Sequence, residues 1–295
     1  MALTGRPGNL PPVGTPPLSV VVCTVDRSDE LARLLPTLVP QGEALGAELL
    51  VVDQSDDPEH ARVRSACPPS VRILRRAVRS LPAARNAALA TTSAPVVLFL
   101  DDDVVCAPGC LAAHLAPYAD PTVGGVAGRI VERRLRANSA TLRNDLGWDG
   151  RIRVRLDATG EGPIGSLKGA HMSVRRGAVE QVGGFDETWG GTALLEDADL
   201  SERLVRAGWR LVFAGRASVE HFHAATGGVR RADERETEWW RFHNTARFLR
   251  RYRGRRGLLL ATPTWAAIAA ARGARWRSPS AAGELMAAWW AGARD

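Results

Sequence analysis

Three carboxylates in a row, Asp101, Asp102 and Asp103, stand directly after the apolar run 96–100. A hard divalent cation takes oxygen ligands, and aspartates two apart can reach one ion together with a diphosphate that it carries. Solvated aspartates also end many strands, so the triplet by itself leaves both readings open. A second acidic group, Glu196, Asp197 and Asp199, opens a run in which Leu200 and Leu204 share one helical face. Acids in a first turn offset the helix dipole, which is the plainer alternative. The chemical one is a general base: a carboxylate fixed on a rigid first turn can take the proton of a hydroxyl as it attacks. No serine or cysteine shows a partner set for nucleophilic catalysis.

These carboxylates need elements to position them. Residues 18–24, 48–52, 71–74 and 96–100 are short apolar runs rich in β-branched residues, separated by segments of helical periodicity at 29–38 and 82–91, the latter opened by Pro82. Such alternation predicts a parallel sheet covered by helices on both faces. Ligands gather at the carboxyl ends of strands in such a sheet, which singles out Asp26, Asp53 and Asp101. Periodicity fades over 133–163, an expected acceptor loop with a short helix around Leu142, Leu146 and Trp148. It returns as a strand at 170–174, a helix at 177–182 and a helix at 196–207 stopped by Gly208. Strands follow at 210–213 and 218–220, then a long arginine-rich helix over 231–252. There is no internal repeat.

Composition bounds the function classes. A chain of 295 residues that is 45% hydrophobic can bury a sizeable core. Its 39 basic against 32 acidic residues give a net charge of +7, and Lys168 is the single lysine. A basic surface suits nucleic acid, anionic lipid or phosphorylated ligands without choosing among them, and no nucleic-acid motif accompanies the charge, so nucleic acid is not an expected partner. Cys23, Cys67, Cys106 and Cys110 form no paired framework and read as free thiols of an intracellular enzyme. Cys106 and Cys110 could be zinc ligands, but no second pair lies at finger spacing. Residues 1–17 hold five prolines and three glycines and read as a disordered leader without a secretion signal. The apolar stretch 258–271, interrupted by Pro263, is too short to span a bilayer. The expectation is a cytoplasmic protein, with peripheral contact at the inner membrane face left open.

Taken together, these residues resemble the family 2 glycosyltransferases of the GT-A fold, over about 18–223. Beyond the two acidic groups, Ser19 to Arg27 is similar to the family's first strand and turn, and Val51-Val52-Asp53-Gln54-Ser55 to its second. Leu81 to Ala88 resembles the segment before the metal strand, Lys168-Gly169-Ala170-His171-Met172-Ser173 the acceptor-side strand, and Gly183-Gly184-Phe185-Asp186-Glu187 the turn before the catalytic helix. The resemblance implies an α/β GT-A-like, mostly parallel sheet flanked by helices over 18–225, after the leader 1–17 and before a C-terminal helical extension over 226–295.

It also implies roles. Asp101 and Asp103 would hold Mg2+ or Mn2+ and, with Asp102, the diphosphate of a nucleoside diphosphate sugar donor. Asp197, with Glu196 beside it, would be the base of an inverting transfer to an acceptor hydroxyl or other nucleophile. Thr24, Asp26, Asp53 and Gln54 would line the nucleotide pocket, with Arg85 and Asn86 near ribose or phosphates. Lys168, Gly169 and Ala170 would edge the sugar and acceptor, and His221 would complete the metal shell, with His223 as fallback. Two positions depart from the family pattern: Gln54 stands where a second acid is usual, and His171 where asparagine is common. The rival enzyme, a sugar nucleotidyltransferase, should carry a glycine-rich phosphate loop after its first strand, and Thr24 to Arg27 has no glycine. The rival outside catalysis is a basic module that binds nucleic acid or anionic membrane through 231–256. For the tryptophan- and arginine-rich tail, an amphipathic lid over the acceptor is preferred to a membrane anchor.

Overall fold

The computed structural model describes residues 15–132, 144–154, 157–224, 227 and 233–295. The chain begins as strand–helix alternation: β1 (Ser19–Thr24), α1 (Ser28–Leu45), β2 (Glu48–Asp53), α2 (Asp57–Ala66), β3 (Val71–Arg75), α3 (Leu81–Thr91) and β4 (Val96–Asp101). Then come β5 (Val104–Cys106), α4 (Cys110–Leu115), β6 (Val123–Glu132), the short strands β7 (Asn144–Leu146), β8 (Ile152–Val154) and β9 (Glu161–Pro163), and β10 (His171–Arg175). Helices α5 (Arg176–Gln181) and α6 (Glu196–Arg206), strand β11 (Arg210–His221) and helices α7 (Glu234–Arg275) and α8 (Pro279–Gly292) complete it.

The main sheet runs β3-β2-β1-β4-β10-β6-β11-β5, with β9 also on β11. Its first four strands are parallel. Beyond them β10 is antiparallel to both neighbours, β11 is parallel to β6, and β5 and β9 are antiparallel to β11. The sheet is therefore mixed, and "mostly parallel" holds for the β3-to-β4 half. Alternate residues of the central strands feed two cores. Val20, Val22, Leu49, Val51, Leu98 and Leu100 meet Leu31, Leu34, Leu35 and Leu38 of α1 and Leu111 of α4. Val21, Leu50, Val52, Val97 and Phe99 meet α3, α5 and Leu200 and Leu204 of α6 on the other face. Because β1, β2 and β4 run the same way, Thr24, Asp53 and Asp101 finish on one edge of the sheet.

Three expected elements differ. The two strands at 210–213 and 218–220 are one strand, bulged between Ala214 and Ser218. The expected helix near Leu146 and Trp148 is instead a β7–β8 hairpin, turned by Gly150 at φ 75°, while Leu142 lies outside the described residues. The arginine-rich helix expected over 231–252 does break at Gly254 (φ 66°, ψ −172°), where left-handed backbone favours glycine, but a second helical length that was not expected continues it to Arg275. Among the described residues no helix is long and apolar enough to cross a membrane. Most of the expected leader, residues 1–14, lies outside the described residues.

Candidate active site

The acidic triplet divides its labour. Asp101 ends β4, where its N–H donates to the Ala170 carbonyl at 3.0 Å. Asp103 Oδ1 lies 2.9 Å from His221 Nε2, and its Oδ2 accepts from the Ala224 N–H at 2.9 Å. Ligand atoms of Asp101, Asp103 and His221 all fall within 4.8 Å of one another. Two carboxylates and an imidazole suit Mg2+ or Mn2+, which leave further positions for a diphosphate. Burial works to raise the Asp103 carboxyl, but the His221 hydrogen bond and charge outweigh it and hold the group low. His221 is desolvated too, yet Asp103 shifts it upward. The fallback His223 stands 3.4 Å from Glu132 and is half exposed.

Asp102 points elsewhere. Its Oδ2 accepts from the Thr24 hydroxyl at 2.7 Å and its Oδ1 from Arg27 at 2.9 Å. Burial drives this carboxyl up to about 7, against the pull of Arg27 and Thr24. Asp102 and Thr24, both expected at the donor, bond to each other here, and together with Arg27 they tie the end of β1 to the triplet.

The second acidic group sits at the start of α6, which follows residues 193 and 195 in left-handed backbone (φ 50° and 75°). Asp197 Oδ2 accepts from the Gly169 N–H at 2.8 Å and Oδ1 from the Ala198 N–H at 2.8 Å, with Lys168 Nζ 3.7 Å away. Burial would raise this carboxyl, but Lys168 and those N–H groups hold it below the usual range. Asp197 is thus an oriented carboxylate with lone pairs to spare. Glu196 is different. Arg85 caps its Oε1, its Oε2 is buried without a partner, and burial drives it up to about 7 against the Arg85 charge, with Asp197 adding to the rise. Asp199 is fully buried and taken by Arg203 at 2.9 Å, the Tyr252 hydroxyl at 2.5 Å and Arg251 at 3.0 Å.

Residues 168–170 join the two acidic groups. Ala170 takes the Asp101 N–H through its carbonyl, and Gly169 gives its own N–H to Asp197. A Cβ at Gly169 would stand 3.0 Å from both Arg85 and Glu196, which explains why the smallest residue lies there.

The nucleotide-side residues are partly brought together. Asp53 is buried and bonded to the Ser55 N–H at 2.9 Å and to His60 at 2.5 Å. Gln54 gives its amide N–H groups to the carbonyls of Val78 and Ser80, leaving its buried Oε1 without a partner. Asp26, at φ 53°, takes Arg79 at 2.9 Å. Arg85 and Asn86, expected near ribose or phosphates, bond here to the protein's own groups. Arg85 is 2% exposed and spends its guanidinium on Glu196, the Gly169 carbonyl and the faces of Phe99 and Phe185. Asn86 clasps the turn before α6, exchanging two hydrogen bonds with Phe185 and reaching Glu187. Sequence reasoning missed Arg27 as a partner of the triplet and Tyr252 as the tie to Asp199. Position after β1 could have signalled the first, and nothing local signals the second, 53 residues away.

Comparison with known proteins agrees with this geometry. The sequence model described as "Glycosyl transferase family 2" matches residues 19–183. A pre-mycofactocin glycosyltransferase of Mycobacterium tuberculosis is 31% identical over 225 residues, covering 70% of this chain and 43% of that protein. An N-acetylglucosaminyl-diphospho-decaprenol L-rhamnosyltransferase of the same organism is 35% identical over 108 residues, 32% of this chain and 34% of that protein. The chain thus spans less than half the length of these curated relatives. In shape it is similar to GalNAc-T7 solved with UDP, GalNAc and Mn2+ (TM-score 0.60, 17% identity, 80% of this chain and 51% of that one). It is also similar to the mannosyltransferase PcManGT from Pyrobaculum calidifontis in complex with GDP-Man and Mn2+ (TM-score 0.57, 19% identity, 94% and 87%). At such identities the likeness speaks for the fold, which is GT-A.

Proposed function

The chain belongs to glycosyl transferase family 2, and from that premise we propose that it transfers a sugar, with inversion, from a nucleoside diphosphate sugar to an acceptor hydroxyl or other nucleophile. The observation that carries this reading is the 168–170 segment, which bonds to Asp101 on one side and to Asp197 on the other. Donor diphosphate and acceptor proton are then handled at two ends of one rigid backbone stretch. Asp101, Asp103 and His221 would hold Mg2+ or Mn2+, which would supply positive charge to the leaving diphosphate.

The rest is done by the chain's own residues. Asp197, ionised and fixed by two N–H groups, accepts the proton of the attacking acceptor at a remaining lone pair. Lys168 keeps that carboxylate ionised between turnovers. Asp53 and Gln54 stand on the nucleoside side of the site, and the buried, unpartnered Gln54 Oε1 is the hydrogen-bond acceptor that the amide offers a base N–H in place of the usual acid. Arg27, Asp102 and Arg85 position these groups from beneath. The rival reading as a nucleic-acid module is disfavoured by the arginines of α7, several of which are engaged by the protein's own groups: Arg241 with Glu238, Arg251 with Asp186 and Asp199, Arg253 with Glu202. We place the enzyme in the cytoplasm.

The test is a screen of nucleotide sugars with Mn2+ or Mg2+, scoring nucleoside diphosphate release. The expected result is turnover of at least one donor that chelator abolishes and Asp103→Ala abolishes as well. Turnover that survives both would overturn the metal role, and no turnover of any donor with any acceptor extract would overturn the enzyme.

A further inference from the structure

A second group of ligand-type side chains lies under the sheet, apart from the carboxylates. Cys110 and His114, one turn apart on α4, meet His171 of β10, and all three are fully buried. Their Sγ and two Nε2 atoms fall within 4.8 Å of one another. His114 Nε2 and His171 Nε2 face each other at 2.7 Å, and Cys110 Sγ is 3.5 Å from His171 Nε2. Each ring turns its other nitrogen to an oxygen: His171 Nδ1 is 3.2 Å from the Arg129 carbonyl, and His114 Nδ1 is 2.9 Å from Ser173 Oγ. That is how a metal-binding imidazole is ordinarily oriented, with Nδ1 tied back and Nε2 presented.

Room for the pair depends on Gly128 of β6. A Cβ there would stand 2.2 Å from His171 Cε1 and 2.8 Å from His114 Nε2. Cys106, at the end of β5, is a second buried free thiol beside Cys110. The spacing Cys106-x3-Cys110-x3-His114 supplies three donors from 9 residues, and β10 brings the fourth.

We propose that Cys110, His114 and His171 form a buried structural site for Zn2+, whose fourth position the neighbouring Cys106 fills by turning its thiol inward. Sulfur and imidazole donors select zinc over the oxygen-seeking Mg2+ or Mn2+ suited to the aspartates. Bonds of about 2.0–2.1 Å to nitrogen and about 2.3 Å to sulfur give tetrahedral edges that the present Sγ···Nε2 distance already matches. The two imidazoles must part by roughly half an ångström to admit the ion. On ligation the proton between the two rings passes to Nδ1 of the ring that held it, each imidazole staying neutral with Nδ1–H toward its oxygen, and the thiol protons leave to solvent. The ion would pin α4 and the end of β5 to β10, next to the 168–170 segment, which gives His171 a reason to stand at this position.

The test uses the full chain carrying Asp103→Ala, so that the carboxylate site is disabled. After dialysis against zinc and then metal-free buffer, elemental analysis should find about one zinc per chain. The Co2+-exchanged protein should show a tetrahedral visible spectrum together with the intense thiolate-to-cobalt charge-transfer band that only cysteine ligation produces. Cys110→Ser should weaken that band at least severalfold, while Cys67→Ser leaves it unchanged. Because the band is read first on the chain with all four cysteines, misfolding of Cys110→Ser cannot decide the matter. A folded protein with neither retained zinc nor the band overturns the proposal and leaves a proton-filled network running from Ser173 through both histidines to the Arg129 carbonyl. A band that persists undiminished in folded Cys110→Ser overturns it too.

Discussion

Asp197 makes two separable demands as the proposed base. Asp197→Asn keeps the shape and the two backbone contacts in part, but an amide cannot accept the acceptor's proton. Turnover should fall by about a hundredfold or more while donor binding, read by calorimetry, stays near wild type. Near-normal rates would remove the role from Asp197. Asp199 could not inherit it, being enclosed by Arg203, Arg251 and Tyr252. The second demand concerns Lys168. Its ammonium is the foremost of the groups holding the Asp197 carboxyl low against burial. Lys168→Met removes the cation, favours the neutral acid and must move the acid limb of the kcat/KM profile to higher pH. A profile with an unmoved acid limb would show that something else titrates there.

Between elements, the most consequential contact is Arg85 of α3 against Glu196 of α6, both nearly enclosed. Removing one partner of such a pair strands a buried charge, so Arg85→Met should cost about 3–5 kcal/mol in urea unfolding. Adding Glu196→Gln should restore much of that loss, since the amide needs no counter-charge; if the double variant is no better than the single one, the pair is not what holds the helices together. How much of this was legible in the sequence depends on range. Strands β1 to β4 and their order of ligand-bearing ends follow from alternation of apolar residues and the parallel rule, and the triplet and α6 were placed by their own local chemistry. The β10–β6–β11 half was not, because pairing across 40 or more residues leaves no periodic trace. Likewise Arg85 and Asn86 sit in a stretch whose resemblance marks importance without direction, and only packing on Phe99 and Phe185 shows that one side chain turns inward. The segment of β7 and β8 resembles a helix in sequence because Leu142, Leu146 and Trp148 mimic a helical spacing, whereas Gly147 and Gly150 supply the turn.

At the scale of the molecule, the C-terminal extension divides at Gly254. Before it, α7 is a fixed brace on the loop leading to α6: Asn244 bonds the carbonyls of Gly190 and Leu194, Trp240 lies over Gly191, and Tyr252 reaches Asp199. A mobile lid is hard to reconcile with those bonds, so the tail's acceptor-side role is one of support. Beyond Gly254, α7 and α8 bury Trp265 and Trp289 against each other and leave an open groove of about 510 Å³ lined by Arg250, Arg255, Leu259, Trp290 and Arg294. Leu259, Leu260 and Trp290 are exposed apolar groups beside arginines that can meet phosphate, the composition of a surface that rests on an anionic bilayer. Full-length protein should therefore sediment with vesicles rich in anionic phospholipid at low salt and release as salt rises. Each arginine near the surface contributes about 1 kcal/mol. Replacing Arg250, Arg255 and Arg294 by glutamine should thus cut binding by roughly a hundredfold. These three side chains lie outside the acidic site, so donor hydrolysis should persist and report that the chain is folded. Truncation after Gly257 is the poorer experiment, because it also strips Trp265 from its bond to the Asp149 carbonyl and uncovers Phe242. Equal sedimentation with neutral and anionic vesicles, or none at low salt, would leave the groove without a membrane role and the brace as the tail's whole contribution.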